Sequence, residues 1–230
     1  MKNLVKTSLG AALAVAGASL AVPAAAQVNG IGTVDLSYAV ANSQAFQTGY
    51  QQIATQYQAQ RTTIEQRQQQ RQQLIQTFDT NSDGQLDATE QAATQDPNNA
   101  TVQQIQAIDQ EIATLQQPIN LARVYVVQQV AQQYSAAMQT VISEQNIQFV
   151  ISPDALIYAP EGADVTEAVT TALDTRVPSV AVVPPADWQP SDAAVNLFQQ
   201  IQQILLMAAM QQQQAAAGQQ PAEAPATSGR

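Results

Sequence analysis

The stretch that decides the fold is SQAFQTGYQQIATQYQAQRTTIEQRQQQRQQLIQTF, residues 43–78. Positions Phe46, Tyr50, Ile53, Tyr57, Gln60, Ile64, Arg67, Arg71, Leu74 and Phe78 follow one another at alternating steps of four and three. That spacing is a heptad seam, the signature of a long helix packed along another helix. The seam is apolar at both ends and polar in its middle. Ser43 is a natural N-cap for the helix. At 1.5 Å per residue the stretch would reach roughly 54 Å. Further on, Ile105, Ile108, Ile112, Leu115, Ile119, Ala122, Val126, Val130, Tyr134, Ala137 and Val141 run mostly at the same spacing. The two seams predict an αα-hairpin. Pro118 lies inside the second helix, where it removes one hydrogen bond and crowds the preceding turn, so a kink is expected there.

Composition agrees with long, weakly charged helices. The chain has 230 residues, 11% charged and 5% aromatic. It contains forty-two glutamines, half of them between Gln44 and Gln110. Glutamine is a good helix former that carries no charge. There is no Cys and no His, which excludes disulfides, Cys/His zinc sites, thiol nucleophiles and Ser-His-Asp triads together. A net charge of −10 argues against a protein that tracks nucleic-acid phosphates. No converging set of acids and bases suggests an enzyme.

The N-terminus reads as an export signal. Lys2 and Lys6 precede an apolar run over residues 9–22, followed by Pro23-Ala24-Ala25-Ala26. This is the order of a secretory signal peptide, with cleavage expected after Ala26. Both lysines leave with it, so the mature chain would carry −12. Beyond it, residues 31–36 (IGTVDL), 147–151, 155–158 and 180–183 read as short strands, with Ser152-Pro153-Asp154 as a turn. Asp164 would cap a short helix that turns Val165, Val169, Ala172 and Leu173 inward. Pro178, Pro184, Pro185 and Pro190 stiffen a linker in which Trp188 packs on the body. A further helix over about residues 192–213 carries Val195, Phe198, Ile201, Leu205 and Met210, and the Ala/Gln/Pro-rich tail after it reads as disordered. The expected division is signal peptide 1–26, first part of a β body 27–42, helical arm 43–146, second part of the body 147–183, linker and extra helix 184–214, and tail 215–230.

One sharp chemical motif falls at the hairpin tip. Residues 79–90, DTNSDGQLDATE, fit the twelve-residue EF-hand loop. Calcium takes six to eight oxygens. Asp79, Asn81 and Asp83 would offer side-chain oxygens at alternate positions, Gly84 the sharp turn, and Gln85 its carbonyl. Asp87 would act directly or through water, and Glu90 would close the shell with both oxygens. EF-hands usually pair, and the sequence has no second loop. A lone loop should therefore bind one calcium weakly, at about 10⁻⁴–10⁻³ M, and order the arm tip.

The order of these elements resembles the Skp/OmpH family of periplasmic chaperones. The resemblance spans about residues 30–175 and rests on two blocks. The first is residues 31–36 with Val34-Asp35. The second is NIQFVISPDALIYAPEGADVTEAVTTAL (residues 146–173), in which Asp164-Val165-Thr166-Glu167-Ala168-Val169 fits the family's D-[VI]-T helix start. The resemblance implies a predominantly α, α+β fold. A small β body would be completed by trimerisation, and coiled-coil arms would project as tentacles around a cavity. It further implies a periplasmic homotrimer that holds unfolded outer-membrane or envelope proteins without ATP or catalysis. The apolar arm positions Tyr50, Tyr57, Ile64, Leu74, Ile112 and Leu115 would give clients weak, diffuse contacts. The well-known members are basic and attract lipopolysaccharide; a charge of −12 does not support that here. The EF-hand loop and the helix after the proline linker are additions to the family pattern. Two other readings are a calcium-dependent binding module and a structural spacer of the envelope.

Overall fold

The computed structural model describes residues 30–218. The expected signal peptide and the end of the expected tail lie outside them. The elements in chain order are β1 (Ile31–Thr33), α1 (Leu36–Asn42), α2 (Gln44–Gln56), α3 (Gln58–Gln76), α4 (Ala88–Gln95), α5 (Ala100–Ala131), α6 (Tyr134–Gln145), β2 (Phe149–Ile151), α7 (Thr166–Arg176) and α8 (Asp192–Gly218).

The arm is the predicted hairpin. α2 and α3 run antiparallel to α5, and the chain reverses through the loop and α4. Ion pairs Arg67–Glu111 and Arg71–Asp109, at 2.8 and 2.7 Å, take over where the seam is polar. Both are half-exposed, and such pairs contribute about 0–1 kcal/mol each. They hold register more than they add stability.

The ascending rod starts earlier than expected and is broken. Asp35 caps α1 by accepting the Tyr38 N–H at 3.0 Å, so helix begins at Leu36. Ser43 then caps α2 through the Phe46 N–H and donates its own hydroxyl to the Val40 carbonyl. Tyr57, at φ −106° and ψ 22°, separates α2 from α3. The descending rod runs helical through Pro118 and breaks instead at Gln132-Gln133, between α5 and α6.

The β body is smaller than predicted. β1 and β2 pair in parallel, Ile31 with Phe149 and Thr33 with Ile151, so the entire arm is the crossover between them. Gly30, at φ 108°, turns its carbonyl to receive both the Gln148 and Phe149 N–H groups. Asn146 closes α6 in the left-handed conformation, a usual device for ending a helix. A single parallel bridge adds Asp164 beside Thr33.

Residues 155–158 and 180–183 are not strands. The first follows a 3₁₀ turn, Pro153–Ala155, and leaves Ile157 and Tyr158 in solvent. Short apolar runs of this kind have strand composition but find no strand partner among the described residues.

The core lies where the arm meets the body. Val40, Val126, Val127, Val130, Val141, Val169, Leu173 and Ile201 are fully buried there. α7 sits inward as predicted through Val165, Val169 and Leu173, and the Asp164 carboxylate accepts the Thr166 N–H at 2.9 Å. α8 packs on α5 and α1; of the expected stripe Ile201 is fully buried and Phe198 packs partly buried against the core, while Ala194 and Leu197, not expected there, are buried beside them. Leu205 and Met210 are exposed, and the helix continues to Gly218 instead of stopping near residue 213.

Candidate functional site

Three places could carry function: the arm surface, the arm tip and the edge of the body. The apolar arm positions named above do not form an open client surface. Tyr57 and Ile64 are buried, and Tyr50, Ile112 and Leu115 pack partly buried against the core. Leu74 is half-buried. The reason is geometric: in an antiparallel hairpin the seam of one helix is covered by the seam of the other. Tyr50 illustrates the closure. Its ring stacks on Phe46 at 4.1 Å, and its hydroxyl is buried without a hydrogen-bond partner. Burial pushes the phenol well above its usual range, against the opposing influence of Arg123 and Gln202 beside it. What the arm turns outward is chiefly glutamine.

At the tip the loop folds on its own carboxylates. The Asp79 carboxylate accepts the Gly84 N–H at 2.8 Å and the Asp83 N–H at 3.2 Å. Asn81 accepts the Asp83 N–H, and Asp83 accepts the Gln85 N–H. Ser82 and Gly84 both have positive φ, 59° and 80°, which makes the sharp reversal expected of Gly84. Asp87 caps α4, and Glu90 completes the capping box. Glu90 is turned inward. One carboxylate oxygen accepts the N–H and hydroxyl of Thr80, both at 2.7 Å, and the other accepts the Asp87 N–H at 3.1 Å. So Asp79, Asn81 and Asp83 share the loop's hydrogen-bond net, while Glu90 spends both oxygens on the loop's ends. Among the described residues no three acidic side chains surround a common point. The fit to calcium is that of a formed turn whose closing ligand is engaged elsewhere.

The same contacts give the tip a pH dependence. The Thr80 hydroxyl first, then the Asp87 and Thr80 N–H groups, hold the Glu90 carboxyl below its ordinary value, with desolvation opposing. A carboxyl depressed in the fold stabilises it above the unfolded value, about 4.3, and withdraws that support as pH falls through the folded value. Without metal, exchange of the Thr80 and Asp87 amides, corrected for intrinsic rates, will therefore accelerate as pH drops below about 4.3. Glu90→Gln will remove that dependence. Equal profiles in the two proteins would contradict the assignment.

At the body, the two sequence blocks meet. The Asp35 N–H donates to the Thr166 hydroxyl at 3.0 Å, and the Val165 N–H donates to the Thr33 carbonyl at 2.9 Å. A cleft of about 570 Å³ opens beside this junction, with Asp35, Tyr38, Asp164 and Glu167 on its wall. The Asp35 and Asp164 carboxylates serve helix starts there. Phe149, Val150, Ile157 and Tyr158 lie exposed on the body. Trp188, which the sequence places on the body, stacks edge-on against Tyr125 of α5 at 4.9 Å. Sequence reasoning missed the exposed apolar run on α8, Leu206, Met207 and Met210, because the helix is buried in its first part, as far as Ile201, and runs on exposed beyond residue 204.

Comparison with known proteins gives the following. The family model "Outer membrane protein (OmpH-like)" matches residues 30–173, which begins at β1 and ends in α7. A crystal structure from Caulobacter crescentus CB15, described as a candidate outer membrane chaperone (OmpH-like), is 16% identical. The alignment covers 80% of this chain and 99% of that one, with a TM-score of 0.42. No curated protein sequence matches. With more than half of its length matched, from the paired strand to the helix that caps it, this chain belongs to the OmpH-like outer membrane protein family.

Proposed function

We propose that this protein is an ATP-independent periplasmic holdase that keeps unfolded outer-membrane proteins from aggregating, and that it works as a homotrimer. The family match over residues 30–173 carries the reading, since the family is one of chaperones and not of enzymes. The arm supports it. A hairpin whose apolar seam is closed and whose outer face is glutamine offers many weak, uncharged contacts and selects no single sequence. The body supports self-association. Two three-residue strands in parallel are too little to stand alone, and Phe149 and Val150 of β2 remain uncovered.

Calcium is the finer part of the proposal. Asp79, Asn81, Asp83 and the Gln85 carbonyl would hold it, and Glu90 would join after releasing Thr80 and Asp87. The ion supplies positive charge where Asp79, Asp83, Asp87 and Glu90 otherwise repel one another. Its expected role is to stiffen the tip.

Diluting a urea-unfolded outer-membrane β-barrel protein into buffer with a molar excess of the purified chain, without ATP, will suppress the rise in light scattering. Scattering equal to that of the client alone would remove the holdase reading. Running the same curves with calcium and with chelator separates the ion from the function. Suppression only with calcium would replace the holdase by a calcium-dependent binding module.

A further inference from the structure

We propose that the segment after the family match, residues 178–202, is a clamp that locks the stem of the arm to the body, so that the arm bends at one level, set by Tyr57 and Pro118. The family model stops at residue 173, so the clamp lies beyond the residues it matches.

The clamp is fastened at successive points. Val180 sits in the notch left by Gly49, where an added Cβ would lie 3.1 Å from Val180 and 3.0 Å from Val126. The Gln129 amide then grips the next peptide from both sides. Its nitrogen donates to the Ala181 carbonyl at 2.8 Å, and its oxygen accepts the Ala181 N–H at 3.0 Å. Trp188 stacks on Tyr125, and the Ser191 N–H reaches Gln128 at 3.3 Å. α8 finishes the strap on the other side. Ile201 is fully buried, and the Ser37 hydroxyl donates to Gln200 at 2.9 Å. The prolines between these points restrict the strap, which turns where the Trp188 N–H donates to the Pro185 carbonyl at 3.0 Å, and make it cheap to order. Body, stem and strap therefore share one set of contacts.

Above the strap both rods are weakened at the same height. Gly49 faces Val126 and Arg67 faces Glu111. Tyr57 lies eight residues above the first pair and ten below the second, which puts it opposite the turn that begins at Pro118. Tyr57 leaves helical geometry. Pro118 has no N–H for the Thr114 carbonyl, and the Thr114 hydroxyl bonds back to Gln110 at 2.9 Å, a contact that bends helices. Both rods stay helical to either side of this level, but the irregular Tyr57 and the hydrogen bond missing at Pro118 stand side by side, so neither rod braces the other there. The shaft beyond it is held by two exposed ion pairs and a few buried apolar residues, Ile64, Phe78, Val102 and Ile108, with no contact to the strap named above.

The test uses the absence of Cys. Two cysteines introduced into the full mature chain carry spin labels, and each labelled chain is diluted with unlabelled chain. One pair joins exposed Thr171 of the body to exposed Gln56 at the top of the stem. The other joins Thr171 to exposed Gln72 on the shaft. The body-to-shaft distance distribution will be about twofold broader than the body-to-stem one. Pro118→Ala will narrow the first and leave the second unchanged. Gln129→Ala with Trp188→Ala will broaden the second. A body-to-stem distribution as broad as the body-to-shaft one would overturn the clamp. A body-to-shaft width unmoved by Pro118→Ala would overturn the joint, and that variant leaves the clamp contacts untouched should the double variant not fold.

Discussion

Replacing Leu173 by alanine will cost ~2–5 kcal/mol of stability, the range for emptying a fully buried leucine site. Leu173 has no exposure and stands on α7, the helix through which the body is assembled. α7 lies between α1 and α6. Its start holds the end of β1 through the Val165 N–H on Thr33 and holds Asp35 through the Thr166 hydroxyl. Near its end Asp174 accepts the Gln44 N–H at 2.7 Å, at the start of α2. The sheet adds little to resist the loss, because each strand has three residues. Urea unfolding at fixed protein concentration, followed by helical circular dichroism, reads the effect. A loss under about 1 kcal/mol would mean that the site collapses around the gap, or that contacts between chains support the body in place of its own core.

Ile201→Asp will undock α8 while the rest of the molecule stays folded. Ile201 is completely buried against the stem. A carboxylate there would have to raise its pKa by up to about 3–5 units, equivalent to about 4–7 kcal/mol, to remain inside uncharged. The nearest escape is release of the helix, whose first half has few other buried side chains, chiefly Ala194 and Leu197. Limited proteolysis will then cut within residues 186–215 in the variant and spare α5 and α7. Cleavage spread equally over arm and body would mean that α8 and the core unfold as one unit. Resistance equal to that of the parent would mean that the helix is held mainly by contacts other than its buried face.

Much of the arm is legible in the residues. The four-three spacing from Phe46 to Phe78 and its counterpart from Ile105 to Val141 specify two helices with one apolar face each, and a hairpin is the shortest way to bury both faces. Caps are legible for the same local reason. Ser43, Asp35 and Asp164 act on backbone groups two or three residues away, so no distant contact is needed to foresee them; of the three, only the Asp35 cap was not expected. The tip was legible as a loop, and Gly84 takes the positive φ its position requires. The body junction was legible as two blocks, though not that Asp35 and Thr166 would touch.

The rest depends on partners far along the chain. Residues 155–158 and 180–183 have the composition of strands, but a strand exists only where a neighbour supplies its hydrogen bonds. β2 has β1; residue 181 has the Gln129 amide instead. The six arm residues expected to face clients are seam residues, and which side of a seam is open depends on what lies across it. On α8 Ile201 is buried as its spacing suggests, while Leu205 and Met210 stay exposed, because burial needs a neighbour that spacing alone does not supply. Spacing along the chain therefore wrote the rods, their caps and the bend that joins them. Packing across the chain chose which faces close, where the rods break, and that a proline-rich tether becomes a strap. A period of three and a half residues is a local property, whereas burial and sheet pairing are relations between residues brought together only by the fold.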